Sequence, residues 1–329
     1  MTERRASMRY DGRVSDAPVP PSHEVRLKDR TPKGQARAHS GFLIVFSLPF
    51  IAAGVMLTGA GLRLWPLKGE SNSPAWVIAS GGSMFAIAGL LVLWRGIWQI
   101  WDMARRKEIL LTRPGEPWLA DHPWSARSAT DGNAGQAAGS FFAAAFLFVF
   151  LIPFNWWAFL SSEGNFFVVG VVGIFDLVMI GVFGQGLYYL ARLWKFGAST
   201  LVFRRFPFFL GDTLEADFRT SADVRSLKNL VFTLRCLREQ VDAEATGSGL
   251  NLAVFEIWKE VRVVEPPSRE IPVSFRLPAE SHFATERQTV TPRYWELEVA
   301  GEAPGVDFGA RFLVPVYADP AVKALRSNG

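Results

Sequence analysis

Residues 165–190 read NFFVVGVVGIFDLVMIGVFGQGLYYL, and residues 191–205, which follow directly, read ARLWKFGASTLVFRR. The first stretch is longer than the roughly 20 helical residues needed to cross about 30 Å of hydrocarbon, and Asp176 is its one charge. From residue 198 the helical pattern gives way to an alternation of apolar and polar side chains, the period of a strand. A membrane helix therefore runs into a β-rich domain across the short link Ala191–Ala198.

Three more stretches toward the N-terminus are long and apolar enough to span a bilayer. They are 41–62, 76–94 and 139–160. The first and third enclose Pro49 and Pro153, which membrane helices tolerate because neighbouring helices satisfy the freed carbonyl. Residues 42–50 (FLIVFSLPF) and 146–154 (FLFVFLIPF) match at six of nine positions. Either two helical hairpins are a parallel duplication, or Phe, Leu and Val simply recur as they do in any membrane helix. Small residues one turn apart, such as Gly82 with Ala86 and Gly139 with Ala143, suit close helix packing within the bundle or in a homo-oligomer.

Composition agrees. Apolar residues make up 49 % of the chain and charged residues 20 %, against roughly 25 % charged in soluble domains. The net charge of +4 is local. Residues 1–40 carry nine Lys/Arg against five Asp/Glu, and residues 196–329 carry sixteen against eighteen. The basic excess lies beside the first helix and forms no groove that could track phosphates, so nucleic acid is not expected as a partner. Basic residues also populate the 102–137 loop, while the loop 161–164 has none. By the positive-inside rule both termini of this multi-pass protein face the cytoplasm. No apolar run precedes residue 41, which argues against a cleavable signal peptide. The single cysteine, Cys236, fits a reducing compartment.

Tryptophans mark the membrane boundaries. Trp94, Trp98 and Trp101 share one helical face, and Trp156 and Trp157 sit at the outer end of the third helix. Trp118 and Trp124, each preceded by proline, read as loop anchors on the inner leaflet.

Asp176 is the candidate intramembrane site. An aspartate at that depth costs about 2.5–3.5 kcal/mol on insertion scales and is by default a functional candidate. It carries an ion or proton, as in a transporter or channel component, or it is a structural hydrogen-bonding group.

In the soluble half, alternation picks out seven strands: near 199–205, 213–219, 230–236, 255–263, 271–277, 295–299 and 308–316. Seven such strands in about 130 residues imply a two-sheet antiparallel sandwich of immunoglobulin type. Cys236 falls on an inward row and reads as core. His282 is the one histidine here, and neither a metal set nor a catalytic constellation emerges. No catalytic residue, metal or cofactor is expected, and an enzyme is not expected.

The runs Ile271-Pro-Val-Ser-Phe-Arg-Leu-Pro278, Tyr294-Trp-Glu-Leu-Glu-Val299, Pro304-Gly-Val-Asp-Phe308 and Phe312-Leu-Val-Pro-Val316 resemble an arrestin-like β-sandwich. With Pro114-Gly-Glu-Pro-Trp118, the layout is similar to a group of uncharacterised bacterial inner-membrane proteins, a domain of unknown function with helical hairpins and a C-terminal sandwich. The resemblance implies a fold and a location and brings no activity.

The expected organisation is a disordered basic cytoplasmic tail (1–40), a first transmembrane hairpin (41–101), a cytoplasmic interfacial loop (102–137), a second hairpin (138–190) and a cytoplasmic sandwich (191–329). The expected role is a non-enzymatic scaffold that presents the sandwich to a protein partner from the lipid bilayer.

Overall fold

The computed structural model describes residues 24–27, 40–65, 74–161, 166–221, 227, 229–241, 252–265, 268–289 and 291–320. Its helices are α1 (Ser40–Gly61), α2 (Ala75–Thr112), the single turn α3 (Trp118–Asp121), α4 (Asn133–Asn155) and α5 (Phe166–Phe196). A π-helical turn, Trp156–Leu160, extends α4. The four long helices are each apolar enough and long enough to cross a membrane.

α1 and α2 form an antiparallel pair whose contact is written in small residues. Ser40, Ser47, Gly54 and Gly61 recur every seven residues on α1 and are buried, as are Gly82, Gly89 and Gly96 on α2. A side chain at Gly54 would collide with the backbone of Ala86, and one at Gly61 with that of Ala79. Absent side chains let the backbones close up, a main source of helix association in lipid. Aromatic rings carry the next seam. Phe85 of α2 lies 6.3 Å from Phe50 of α1 and 5.7 Å and 6.0 Å from Phe150 and Phe154 of α4. Among the described residues α1 packs on α2, α2 on α4 and α4 on α5, so the helices follow one another in a row.

The strands are β1 (Val25–Leu27), β2 (Ser128–Thr130), β3 (Ser199–Phe203), β4 (Phe208–Phe209), β5 (Thr213–Thr220), β6 (Leu230–Val241), β7 (Leu252–Val264), β8 (Glu270–Arg276), β9 (Arg293–Gly301), β10 (Phe308–Val314) and β11 (Val316–Tyr317). One sheet has the order β1-β7-β6-β9-β10 and the other β2-β3-β5-β8, both antiparallel. β4 and β11 make a short parallel pair. The two main sheets face each other over Leu201, Leu214, Phe218, Val273 and Phe275 on one side and Phe232, Leu234, Cys236, Trp295, Leu297 and Phe312 on the other. Phe218 meets Phe232 at 5.5 Å and Phe312 at 6.1 Å, edge to face. Each fully buried side chain of this size contributes about 1.5–3 kcal/mol. The Trp295 indole donates to the Phe283 carbonyl at 2.7 Å, so the buried N–H is satisfied. A bulge between Cys236 and Leu237 shifts the register against β7. Past it, Leu237, Val254 and Tyr294 form a small cluster apart from the main core.

The seven strands read from alternation are β3, β5, β6, β7, β8, β9 and β10. Two more come from segments expected to be something else. Val25–Leu27 of the tail is a strand on the edge of β7, where unpaired backbone groups accept it, so a wholly disordered 1–40 is corrected at those residues. Glu24 and Ser40 are also described, and residues 1–23 and 28–39 lie outside the described residues. Ser128–Thr130 of the 102–137 loop pairs with β3. The start of that loop is helical instead: α2 continues to Thr112 through good helix formers and an i,i+4 ion pair, Arg106–Asp102 at 2.6 Å. Pro114 and Gly115 then stop it.

Candidate functional site

The site is the joint between helices and sandwich, which is built at two levels. At the near level α5 ends at Phe196, Gly197 follows in the left-handed region with φ 66°, and β3 starts two residues after it. Phe196 packs edge-on against Phe308 at 5.2 Å. The Lys195 ammonium donates to the Pro304 and Val306 carbonyls at 2.6 and 2.9 Å, gripping the β9–β10 turn. The first residues of α4 are held by the same strands. Asn133 donates to Asp131 Oδ2 and to the Gly309 carbonyl, both at 3.1 Å, and Asp131 Oδ2 also accepts the Ser199 N–H at 3.3 Å. The Arg192 guanidinium occupies the space a side chain on Gly309 would fill. Burial raises the Asp131 carboxyl above its ordinary range, and the Ser199 and Asn133 hydrogen bonds and the charge of Arg192 oppose that rise.

The far level is reached by α2. Gly96 is level with Ser40 at the start of α1, so the run from Gly96 to Thr112 projects roughly 24 Å beyond the helix row at 1.5 Å per residue. α3 caps this strut and docks on the far end of the sandwich. Trp118 lies 6.0 Å from both Phe209 and Tyr317. The Tyr317 hydroxyl donates to Asp121 Oδ2 at 2.9 Å and accepts the Trp124 indole N–H at 3.0 Å. Asp121 Oδ1 accepts the Arg287 backbone N–H at 3.3 Å, and its carbonyl accepts from Gln288 at 3.2 Å. Burial pushes the Asp121 carboxyl up, against the Tyr317 hydrogen bond and the Arg287 charge. Burial, then the cations Arg287 and Arg106, holds His122 down at about 4. Burial first, and then the Asp121 charge, raises the Tyr317 phenol. From here the chain returns along β3 as β2 and enters α4.

Trp118 and Trp124, expected as leaflet anchors, are thus fixed to the sandwich, because Tyr317 and Phe209 supply the ring contacts and the acceptor they need. Trp94, Trp98 and Trp101 are exposed on α2. Trp156 packs on Trp76 at 5.6 Å, and Trp157 lies in the π-helical turn beside it.

Asp176 sits about three turns into α5, where its Oδ1 accepts from the Asn155 amide of α4 at 3.0 Å. Asn155, which the sequence reading passed over, is a polar residue two positions after Pro153 in an otherwise apolar run. That interruption was its visible signal. Asp131-Gly-Asn133 at the head of α4 was another. The roles of Asp121, Arg192 and Tyr317 carry no local pattern, since their partners are distant in sequence.

Elsewhere, a cleft of about 320 Å³ opens beside α2 and α3, lined by Arg105, Ile109, Thr112, Arg113 and Leu119. Among the described residues no three His, Cys, Asp or Glu side chains are grouped to hold a metal. Cys236 is buried, its Sγ 3.5 Å from the Phe283 carbonyl and its thiol pushed up by burial. No protein-family model and no curated protein matches the chain.

Proposed function

We propose that this is a multi-pass protein of a bacterial inner membrane that holds a cytoplasmic β-sandwich rigidly against the inner leaflet as a docking platform for a protein partner. One observation carries the reading: the sandwich is tied to the helices at both ends, near the membrane through Asn133 and Lys195 and at the far end through Asp121 and Tyr317. A domain fixed at two levels cannot swing on its linker. Such a platform loses little orientational freedom on binding, which is where preorganised interfaces gain affinity. The cytoplasmic side follows from the Lys/Arg-rich flanks 1–40 and 102–137.

Two experiments test it. A fluorescent reporter and a periplasm-active phosphatase, fused separately to the C-terminus, read the side of the membrane; fluorescence without phosphatase activity is expected. A photo-crosslinking residue placed at Glu215, at Val261 or at Phe166 reads contact with other proteins. A discrete protein adduct from a sandwich position, and none from Phe166, is the expected result. Identical adduct patterns at all three positions would end the docking reading.

A further inference from the structure

β7 is 13 residues long, but β1 covers its outer edge only opposite Val254, Phe255 and Glu256. Among the described residues no strand pairs with that edge from Ile257 to Val264. Val261 and Val263 are exposed there. A row of unpaired backbone N–H and C=O groups on an edge strand is a template for another strand.

β1 shows that this edge accepts one and what it selects. The pairing is antiparallel, with Val25 opposite Glu256 and Leu27 opposite Val254. Leu27 packs on the Leu237, Val254 and Tyr294 cluster. Glu24 meets the Arg238 guanidinium at 2.6 Å. The strand belongs to a segment remote from β7 in sequence, and three residues of ladder hold it.

The sequence of the chain's own tail is a poor match for the rest of this edge. Continued in the register of β1, Pro21, Pro20 and Pro18 would fall opposite Glu260, Val261 and Val263. Proline has no N–H to donate to a ladder. From Glu260 onward this edge therefore suits a segment without those prolines better than it suits the chain's own tail.

We propose that the outer edge of β7 is a strand-acceptor site for an extended segment of a partner protein, and that β1 is a short resident strand which the partner displaces. The proposal rests on the docking function above and names its surface. The segment that fits carries a leucine-like residue for the Leu237–Val254–Tyr294 cluster and an acidic residue three positions earlier for Arg238. Proline-free residues of alternating apolarity precede them, to lie along Val261 and Val263. Backbone hydrogen bonds supply the affinity and the Leu27 position the specificity, as in other strand-addition modes.

The probe is a fluorescent peptide of residues 15–30 carrying Pro18→Thr, Pro20→Thr and Pro21→Thr, titrated by anisotropy against the full chain in nanodiscs. It should bind saturably to the wild type. Binding should tighten at least tenfold with Leu27→Asp, which unseats the resident strand, and the proline-containing parent peptide should bind at least tenfold more weakly. Hydrogen exchange over 253–257 verifies that β1 has left; if Leu27→Asp keeps it in place, a chain beginning at residue 31 replaces that variant. No peptide binding with β1 released overturns the site. A wild-type dimer that Leu27→Asp turns into monomers assigns the strand to a second copy and overturns the foreign partner. Partner crosslinks from Glu215 but not Val261 would leave the docking reading standing and sink this edge. Peptide binding without any partner crosslink would do the reverse.

Discussion

Tyr317 donates its phenolic proton to Asp121 at 2.9 Å, joining the tip of the α2 strut to the last described strand across 196 positions of sequence. The same hydroxyl accepts the Trp124 indole N–H. Tyr317→Phe therefore strands two partners at once, the buried Asp121 carboxylate oxygen and the half-buried Trp124 indole N–H. An unsatisfied buried polar group costs about 1–3 kcal/mol, so the far attachment should loosen while the near one holds. The expected readout is faster limited proteolysis within residues 113–127, with the sandwich core still resistant. Unchanged cleavage in that segment would mean that ring packing, not the hydrogen bonds, fixes the strut.

Acid should act on this attachment through two opposed groups. His122 stays neutral in the folded chain down to about 4 because it is buried and faces Arg287 and Arg106, whereas an unfolded histidine protonates near pH 6.5. Its stabilising contribution is complete above about 6.5 and is lost as pH falls toward 4. Asp121 works the other way. Burial raises its carboxyl, so the stability it adds is present at low pH and is lost as pH rises through its folded value. Thermal midpoints between pH 7 and pH 5 should fall for the wild type. They should fall less for His122→Phe, which keeps a ring beside Trp124, and more for Asp121→Asn. Parallel curves for all three chains would remove both groups from the balance.

The strands that were legible in the sequence are those long enough to show a period. β5 and β8 alternate over their full length, and the inward row of β6 through Cys236 lies in the core as its pattern implies. β1 and β2 have three residues each, too few for any period, and only the edge they pair with makes them strands. Trp118 and Trp124 show the same limit. An indole next to a proline suits a headgroup layer as well as a protein surface, and the contacts these two make with Tyr317 lie in no local window. Asp176 stood out because a charge in lipid is conspicuous. Asn155 did not, since it carries no charge and lies at the outer end of its helix, where a polar residue is unremarkable.

The arginine at the centre of the five-stranded sheet ties three strands together. Arg235 of β6 reaches Glu256 of β7 at 3.0 Å and Glu298 of β9 at 3.1 Å. Lys259 and Arg311 take the outer sides of those two carboxylates, at 3.2 and 3.1 Å. Arg235→Met keeps the aliphatic stem but leaves the buried Glu256 with Lys259 alone. A loss of about 1–3 kcal/mol is expected, read as a lower denaturant midpoint for the sandwich with no change at the helices. The double variant Arg235→Met, Glu256→Gln should recover part of it, because removing one partner of such a pair costs more than removing both.

The helix row offers a sharper test, because neighbouring glycines make opposite predictions. The space beside Gly54 is filled by the backbone of Ala86 and the Gly82 carbonyl, whereas Gly81, one residue from Gly82, has nothing near it. Gly54→Ala must push α1 from α2. It should weaken the hairpin in a detergent-unfolding titration and shift the helices enough to change crosslinking between cysteines placed on them. Gly81→Ala should be neutral or stabilising, since alanine favours helix by about 1 kcal/mol over glycine. If both substitutions behaved alike, helix propensity rather than contact would govern the pair.

Asp176 can be judged by how it responds to its partner. Asn155 donates to its carboxylate from α4, and interhelical hydrogen bonds of this kind contribute about 0.6 kcal/mol on average and up to about 2. For a structural role, Asp176→Asn keeps an acceptor for Asn155 and should leave folding, expression and cell phenotype intact. Asn155→Leu should be the harmful change, because it strands the acid in a low-dielectric setting and loosens α4 from α5. Combining Asn155→Leu with Asp176→Leu should then restore stability. For an ion- or proton-carrying role the order reverses: Asp176→Asn would abolish an ion-dependent phenotype at normal expression, and no second substitution at Asn155 would rescue it. The hydrogen bond between the two side chains favours the structural order, and growth and thermal unfolding of these variants decide it.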